Sequence, residues 1–424
     1  MKKNLLILLS ICFFQFSFCQ KKELKLADKQ IKGGDFANAT ISLTSIANLV
    51  SNADEKIKAK YYYLSAMAKY ENGDGTFENK LSSISDFKNV KDIEEDGSKI
   101  YSSKIDDIFT NLFNSFVNDS KTALDSKNYE LSYKNLEAAY IVSNKDTLYL
   151  YNAALVATEG KSYDVALGYY EKLINLGYTG VSINYFATEK ESGDEQVFQD
   201  KKSRDFSVDV VETHVDPRDE MAESVEIDIL RSVAAIYRSQ ENFEKSLEFL
   251  SRAKKINSED INLILLESNI RWEMGEVDMY QELISKALDI EPNNVDLIFN
   301  LGVVNADKGN FDEAIGYYNS AIEMDPNYTK AYLNAAALIL DKEGSIIEEM
   351  NSLGMSTADY NRYDELKIER EDLYKTAIPY LEKVFELDND NLSAARTLKN
   401  IYSALGDTES ENKYKVIVAE LENK

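Results

Sequence analysis

Between Val295 and Met324 the apolar residues fall into two runs, each with the three- and four-residue steps of an amphipathic helix. Leu301 and Gly302 lie in the first run; Ala314, Tyr318 and Ala321 mark the second. Gly309-Asn310 separates the runs as a tight turn. Asp325-Pro326 ends the second, because proline disfavours helix in the residue before it and lacks the N–H for the next backbone bond. The pattern predicts two short helices and a turn over residues 295–328, a unit of 34 residues.

The unit recurs. Successive starts fall at 227, 261, 295 and 329, and one more at 392. Before them, Gly34, Phe36, Ala39, Leu43 and Ile46 keep the same turn and second helix in a unit that begins near Gln20. A degenerate unit follows from about Ala59, with Tyr61, Tyr62, Tyr63, Leu64 and Ala66, then Leu81, Ile84 and Phe87. Residues 98–125 read as one long helix on Ile105, Ile108, Leu112, Phe116 and Val117. Units from Phe113 and Thr147 complete the series, with Tyr129 and Tyr163 separated by 34 residues. About nine units result.

The rhythm breaks twice. Residues 181–226 carry no such spacing. Val181, Ile183 and Tyr185 alternate, Gly193 offers a turn, and Val197, Val208, Val210 and Val211 add β-branched residues, which predicts a short β-hairpin or an extended arm. Asp216-Pro217-Arg218-Asp219 reads as a turn, and the sole histidine, His214, as a solvent-facing loop residue. The second break inserts 29 residues around 343–371, between the helices of the unit from 329. Ile346, Ile347, Met350 and Leu353 suggest a small helix there, and Asp364 to Tyr374 an early start to the second helix, which Pro379 should kink. The polar tail AELENK suits a capping helix.

The repeat resembles the tetratricopeptide repeat (TPR), whose pattern sets Gly at position 8, Ala at 20, an aromatic at 24, Ala at 27 and Pro at 32. Here those are Gly302, Ala314, Tyr318, Ala321 and Pro326. The resemblance implies an all-α, right-handed α-solenoid of about nine helical hairpins, interrupted by the one β-hairpin or extended insertion. Stacking is obligatory, since one hairpin cannot bury its apolar stripe alone. In the unit from 261, Tyr280 stands where position 20 wants alanine, so it must widen the helix contact or turn outward. In this family positions 2, 5, 9, 12 and 13 of the first helix face a concave groove and contact peptides. Carried over, they point to Arg231, Arg238, Asn269, Trp272, Phe299 and Val303. Position 5 of three successive units is Arg231, Leu265 and Phe299, which departs from the Lys/Asn set that clamps a C-terminal carboxylate.

The first residues belong to another class. Lys2 and Lys3 precede an apolar run from Leu5 to Phe18, shorter than the ~20 residues of a membrane-spanning helix. That pattern predicts an export signal over 1–19 and a periplasmic or envelope-associated protein, not a transmembrane one. Ser17 and Cys19 favour cleavage after Cys19; the bulky Phe18 speaks against lipidation of that cysteine. The expected layout is therefore signal 1–19, N-terminal repeats 20–180, insertion 181–226 and C-terminal repeats 227–424.

Charge narrows the partners. The net charge is −26, and without Lys2 and Lys3 it becomes −28 (−26 − 2). Nucleic acid is disfavoured because phosphate contacts need clustered Lys and Arg, whereas basic partners suit the surface. Chemistry finds little foothold. No phosphate-binding glycine loop or GxSxG turn occurs, and the only cysteines, Cys12 and Cys19, fall in the leader. With a single histidine, Ser/His/Asp or Cys/His catalysis and a zinc site are excluded; no metal and no cofactor is expected. Asn72-Gly-Asp-Gly-Thr and Asp388-Asn-Asp-Asn resemble calcium loops faintly and read as turns. Two function classes remain: a non-enzymatic scaffold for a protein or peptide, or an auxiliary envelope subunit for a glycan or peptidoglycan-associated ligand.

Overall fold

A computed structural model describes residues 20–143 and 146–423. The export-signal expectation, with Cys12 and Cys19, lies outside the described residues. The chain forms two compact units, one ending at Ile229 and the other beginning at Leu230.

Unit 1 opens with α1 (20–32), α2 (Phe36–Thr44) and the short α3 (Ala47–Val50). Then follow α4 (Glu55–Tyr70), α5 (Phe77–Glu94), α6 (Ser102–Asp125), α7 (Tyr129–Val142), α8 (Thr147–Glu159) and α9 (Tyr163–Asn175). They pair as antiparallel hairpins, α4 with α5, α6 with α7 and α8 with α9, and α5 packs on α6 and α7 on α8. Phe87, Ile105, Leu112, Phe116 and Ala139 form a buried core through two of these hairpins. Small residues hold paired helices close: Ser120 on α6 and Ser132 on α7, at positions 8 and 20, share a buried 2.9 Å hydrogen bond.

Unit 2 repeats the device with most of α11 (Glu226–Ser239), α12 (Phe243–Ile256), α13 (Ile261–Glu273), α14 (Val277–Ile290), α15 (Val295–Asp307), α16 (Phe311–Met324) and α17 (Thr329–Asp341). After α18 (Glu343–Ser352) comes α19 (Thr357–Leu387), continuous through Pro379, then α20 (Leu392–Leu405) and α21 (Thr408–Glu422). The expected small helix is α18, and α19 begins seven residues ahead of Asp364 because Ser356 and Asp359 form a capping box. Among the described residues this makes nine hairpins over both units.

Seven of the nine hairpins share one turn geometry. Position 15 of the unit is left-handed at Gly34, Lys127, Lys161, Glu241, Gly275, Gly309 and Gly406, with φ between 57° and 77°. The next N–H bonds the carbonyl five residues back, as Asn310 does to Asn305 at 2.8 Å, which satisfies an orphan carbonyl of the first helix. Gly302 answers a different need. A Cβ there would stand 2.6 Å from the ring of Tyr318, so glycine at position 8 makes room for the aromatic at 24. Tyr280 does not turn outward. It is buried with Ile264, Ile284 and Leu301, opposite the small Ser268 at position 8.

The insertion is a small module of its own. β1 (Ile183–Glu189) and β2 (Glu195–Phe198) form the expected hairpin, turning at Gly193. A third strand, β3 (His214–Met221), adds to the other side of β1, giving the antiparallel order β2-β1-β3. Between β2 and β3, α10 (Lys201–Asp205) lies on the sheet and carries Arg204, 4% exposed, which donates to Asp219 at 2.6 Å and to the Arg218 carbonyl. Two expectations fail here for one reason, the pairing of β3 with β1. Asp216 to Asp219 is strand and not turn; Pro217, which has no N–H to give, is tolerated because β3 is an edge. His214 is buried, not solvent-facing. Its ring nitrogens meet Gln196 at 2.8 Å and Thr213 at 2.9 Å, with Phe198 edge-on at 5.0 Å.

Candidate binding groove

The first helices of unit 2, α11, α13, α15 and α17, carry the positions to which the resemblance assigns a groove. Their N-termini are set by side-chain caps where the sequence supplies an acceptor. Asp260 takes the N–H groups of Asn262 and Leu263, and Asn294 those of Asp296 and Leu297. One face of each helix is then fixed by Ile264, Leu297 and Leu301 in the core.

The six candidate residues fall into three environments. Asn269 is exposed, and Trp272 is 40% exposed with its ring 5.1 Å from that of Tyr280. The half-buried Arg238 reaches from α11 to Glu273 on α13 in a two-pronged pair, Nη2–Oε1 2.6 Å and Nε–Oε2 3.1 Å. That donation holds the Glu273 carboxyl below the usual carboxylate range. Each partner is about one-third exposed (32% and 38%), so the pair contributes only ~0.2–1 kcal/mol, and its main effect is to fix two charges in place. Phe299 and Val303 are part of the packing. Phe299 lies 5.7 Å from Tyr318 and 5.4 Å from Tyr328, and both residues back the cluster of Ile298, Ala314 and Ala321. Arg231 is half-buried on α11.

Arg238 and Glu273 border an open cavity of about 670 Å³, closed by Ala235, Ser239, Glu241 and Phe243. Sequence reasoning passed over Glu273 and Ser239, although both sit at position 13, one of the five groove positions. Glu241 and Phe243 belong to the turn and the next helix, and no spacing rule marks them. The site thus offers a fixed cation and anion, an exposed amide and an indole face. Such a set suits recognition of a polar chain with an apolar anchor.

Comparison with solved structures returns helical repeat proteins. The C-terminal part of a TPR repeat-containing protein from Cytophaga hutchinsonii aligns at 11% identity over 72% of this chain and 95% of its own, with a TM-score of 0.47. MamA aligns at 16% identity over 47% of this chain and 93% of its own, with a TM-score of 0.35. YrrB, described as a TPR protein with an unusual peptide-binding site, aligns at 18% identity over 46% and 86%, with a TM-score of 0.32. Scores this low carry nothing about function. No curated protein matches the chain in sequence. The family model of the tetratricopeptide repeat matches residues 295–328, the same 34 residues whose pattern repeats along the chain.

Proposed function

We propose that this protein is a non-enzymatic TPR-type scaffold that works outside the cytoplasm and binds a protein or peptide along the first helices of unit 2. The observation that carries the reading is that exposed Asn269 and Trp272 share α13 with Glu273, whose fixed pair with Arg238 borders the cavity. Large aromatic and Arg side chains at the centre of a surface are the usual anchors of protein recognition. The charged and apolar order of residues 1–19 supports export. A basic partner fits the charge, and the insertion adds to it: residues 181–226 hold 13 acids and 5 bases, a net −8 of the total −26.

Capture from an envelope extract tests the reading. The wild-type chain should retain a partner that Asn269→Ala/Trp272→Ala loses, at unchanged folding by circular dichroism. Equal capture by both removes the groove from the account. Exposed Trp272 also favours one second reading, a glycan ligand. In that case indole fluorescence shifts with oligosaccharide and not with the captured protein.

A further inference from the structure

The inserted segment of unit 2 presents a helix face that is exposed among the described residues. α18 and the first half of α19 form a projecting hairpin. Its inner side is tied at three points: Leu366 is buried, Arg362 makes a two-pronged pair with Glu349 at 2.7 and 3.1 Å, and Arg370 pairs with Glu343 at 2.7 Å. The capping box at Ser356 and Asp359 fixes the start of α19, so the outer side is held rigid as well.

At 100° per residue, positions 360, 363, 364, 367, 368 and 371 share an arc of about 140° on that outer side. Tyr360 is 60% exposed, Tyr363 46% and Ile368 58%, an apolar load that a solvated helix face has no need of. The charges on this face are equally unusual. Between 343 and 375 the cations are Arg362, Lys367, Arg370 and Lys375, and all but Lys367 have a carboxylate within ion-pair distance. Lys367 stands free among the described residues although Asp364 lies three residues before it and Glu371 four after.

We infer that this face binds a second copy of the chain, α19 against α19 in antiparallel order about a two-fold axis between residues 365 and 366. In that register Lys367 of each copy meets Asp364 of the other, and each Tyr360 hydroxyl meets the other copy's Glu371. Tyr363 and Ile368 flank the seam on its two sides. A two-fold interface must be self-complementary, and this sequence is. Two copies of a chain with net charge −26 repel one another, and this face supplies its own opposite charge at the point of contact. The surface is a single helix stripe, so the association is weak and concentration-dependent.

The test is the mass of the purified chain by light scattering across the micromolar range. The wild type should pass from monomer to dimer as concentration rises. Asp364→Lys places four lysines on the seam and Lys367→Asp four aspartates, so either variant alone should associate at least about tenfold more weakly. Mixed in equal amounts, the two should form a heterodimer, because every contact then joins Lys to Asp. Both substituted positions are exposed, and circular dichroism checks that the variants are folded. A wild type that stays monomeric overturns the proposal. So does a dimer indifferent to both substitutions, or a mixture that stays monomeric when the wild type dimerises. The reading is a mass and needs no partner, so it stands or falls apart from the groove.

Discussion

Seven residues at one position of the repeat show what a single backbone angle demands. Position 15 is left-handed at each, yet only four of the seven are glycine; Lys127, Lys161 and Glu241 hold φ near 58° with a side chain. Gly309 was legible as a turn in the sequence, whereas the three charged residues were not, because nothing in their chemistry announces a positive φ. The left-handed conformation costs a side-chain-bearing residue ~1–2 kcal/mol, and glycine loses ~0.5–1 kcal/mol of extra chain entropy on folding. The strain term is larger. Lys127→Gly, Lys161→Gly and Glu241→Gly should therefore each stabilise the protein by about 0.5–1 kcal/mol, seen as a higher urea midpoint at unchanged slope. A buried carboxylate gives the opposite case. Glu94, 3% exposed, caps α6 by accepting from the N–H groups of Ile100, Tyr101 and Ser102 and from the Ser102 hydroxyl. Burial alone would raise its pKa, but these hydrogen bonds outweigh burial and lower it. A lowered carboxylate contributes stability above its unfolded value of ~4.3 and loses it as pH falls through the folded value. Glu94→Gln should cost about 1.5–3 kcal/mol at pH 7. The gap from wild type in thermal melts should stay level down to the unfolded pKa and close below it.

At the scale of elements, the legible parts were those with a period. The 34-residue spacing located the hairpins, and the long helix expected from Ser98 to Asp125 appears as α6, which starts four residues later, at Ser102. The insertion was legible only as far as its local alternation reached. Ile183, Tyr185 and Val197 announced β1 and β2. β3 reads His-Val-Asp-Pro-Arg-Asp-Glu-Met, too polar to signal a strand, since every residue from Asp216 onward is exposed. Its pairing is a long-range event, and with it went the burial of His214. The groove divided in the same way. Spacing found Arg238 and Trp272, but it could not say that Phe299 would be claimed by Tyr318 and Tyr328. The insertion closes on itself: Ala222 N–H bonds the Ser182 carbonyl and Val225 N–H the Thr179 carbonyl, both at 2.8 Å. Its ends are therefore adjacent, and the buried Ala187, Arg204 and His214 give it a small interior of its own. Replacing residues 182–223 by a short Gly-Ser link should leave the helical hairpins folded, with hydrogen-exchange protection of α6 to α9 unchanged. Loss of protection in those helices would show that the sheet supports them.

For the molecule as a whole the dominant physical fact is charge. The chain has 74 acids against 48 bases, so its ion pairs and its uncompensated carboxylates respond to salt in opposite directions. The pairs are mostly half-exposed and local, as Lys134–Glu130 and Lys201–Asp205 show, and each contributes ~0–1 kcal/mol. Screening them costs little. Self-repulsion among the excess acids acts over distances longer than a hydrogen bond, and the Debye length falls from ~30 Å at 0.01 M to ~3 Å at 1 M. Repulsion therefore loses more than attraction as salt is added, and the urea midpoint should rise with sodium chloride. A fall would mean that the pairs, Arg238–Glu273 and Arg362–Glu349 among them, outweigh the net charge. The same screening acts on what the charge attracts. Capture of a basic partner should weaken over the range of salt in which the fold strengthens, whereas the α19 pairing should move little, because salt screens the repulsion between the two copies as well as the ion pairs that join them. Opposite salt slopes for stability and for partner capture, measured on one preparation, would separate the acidic surface as a binding determinant from the acidic surface as a solubility device, because a surface that serves solubility alone leaves capture indifferent to salt.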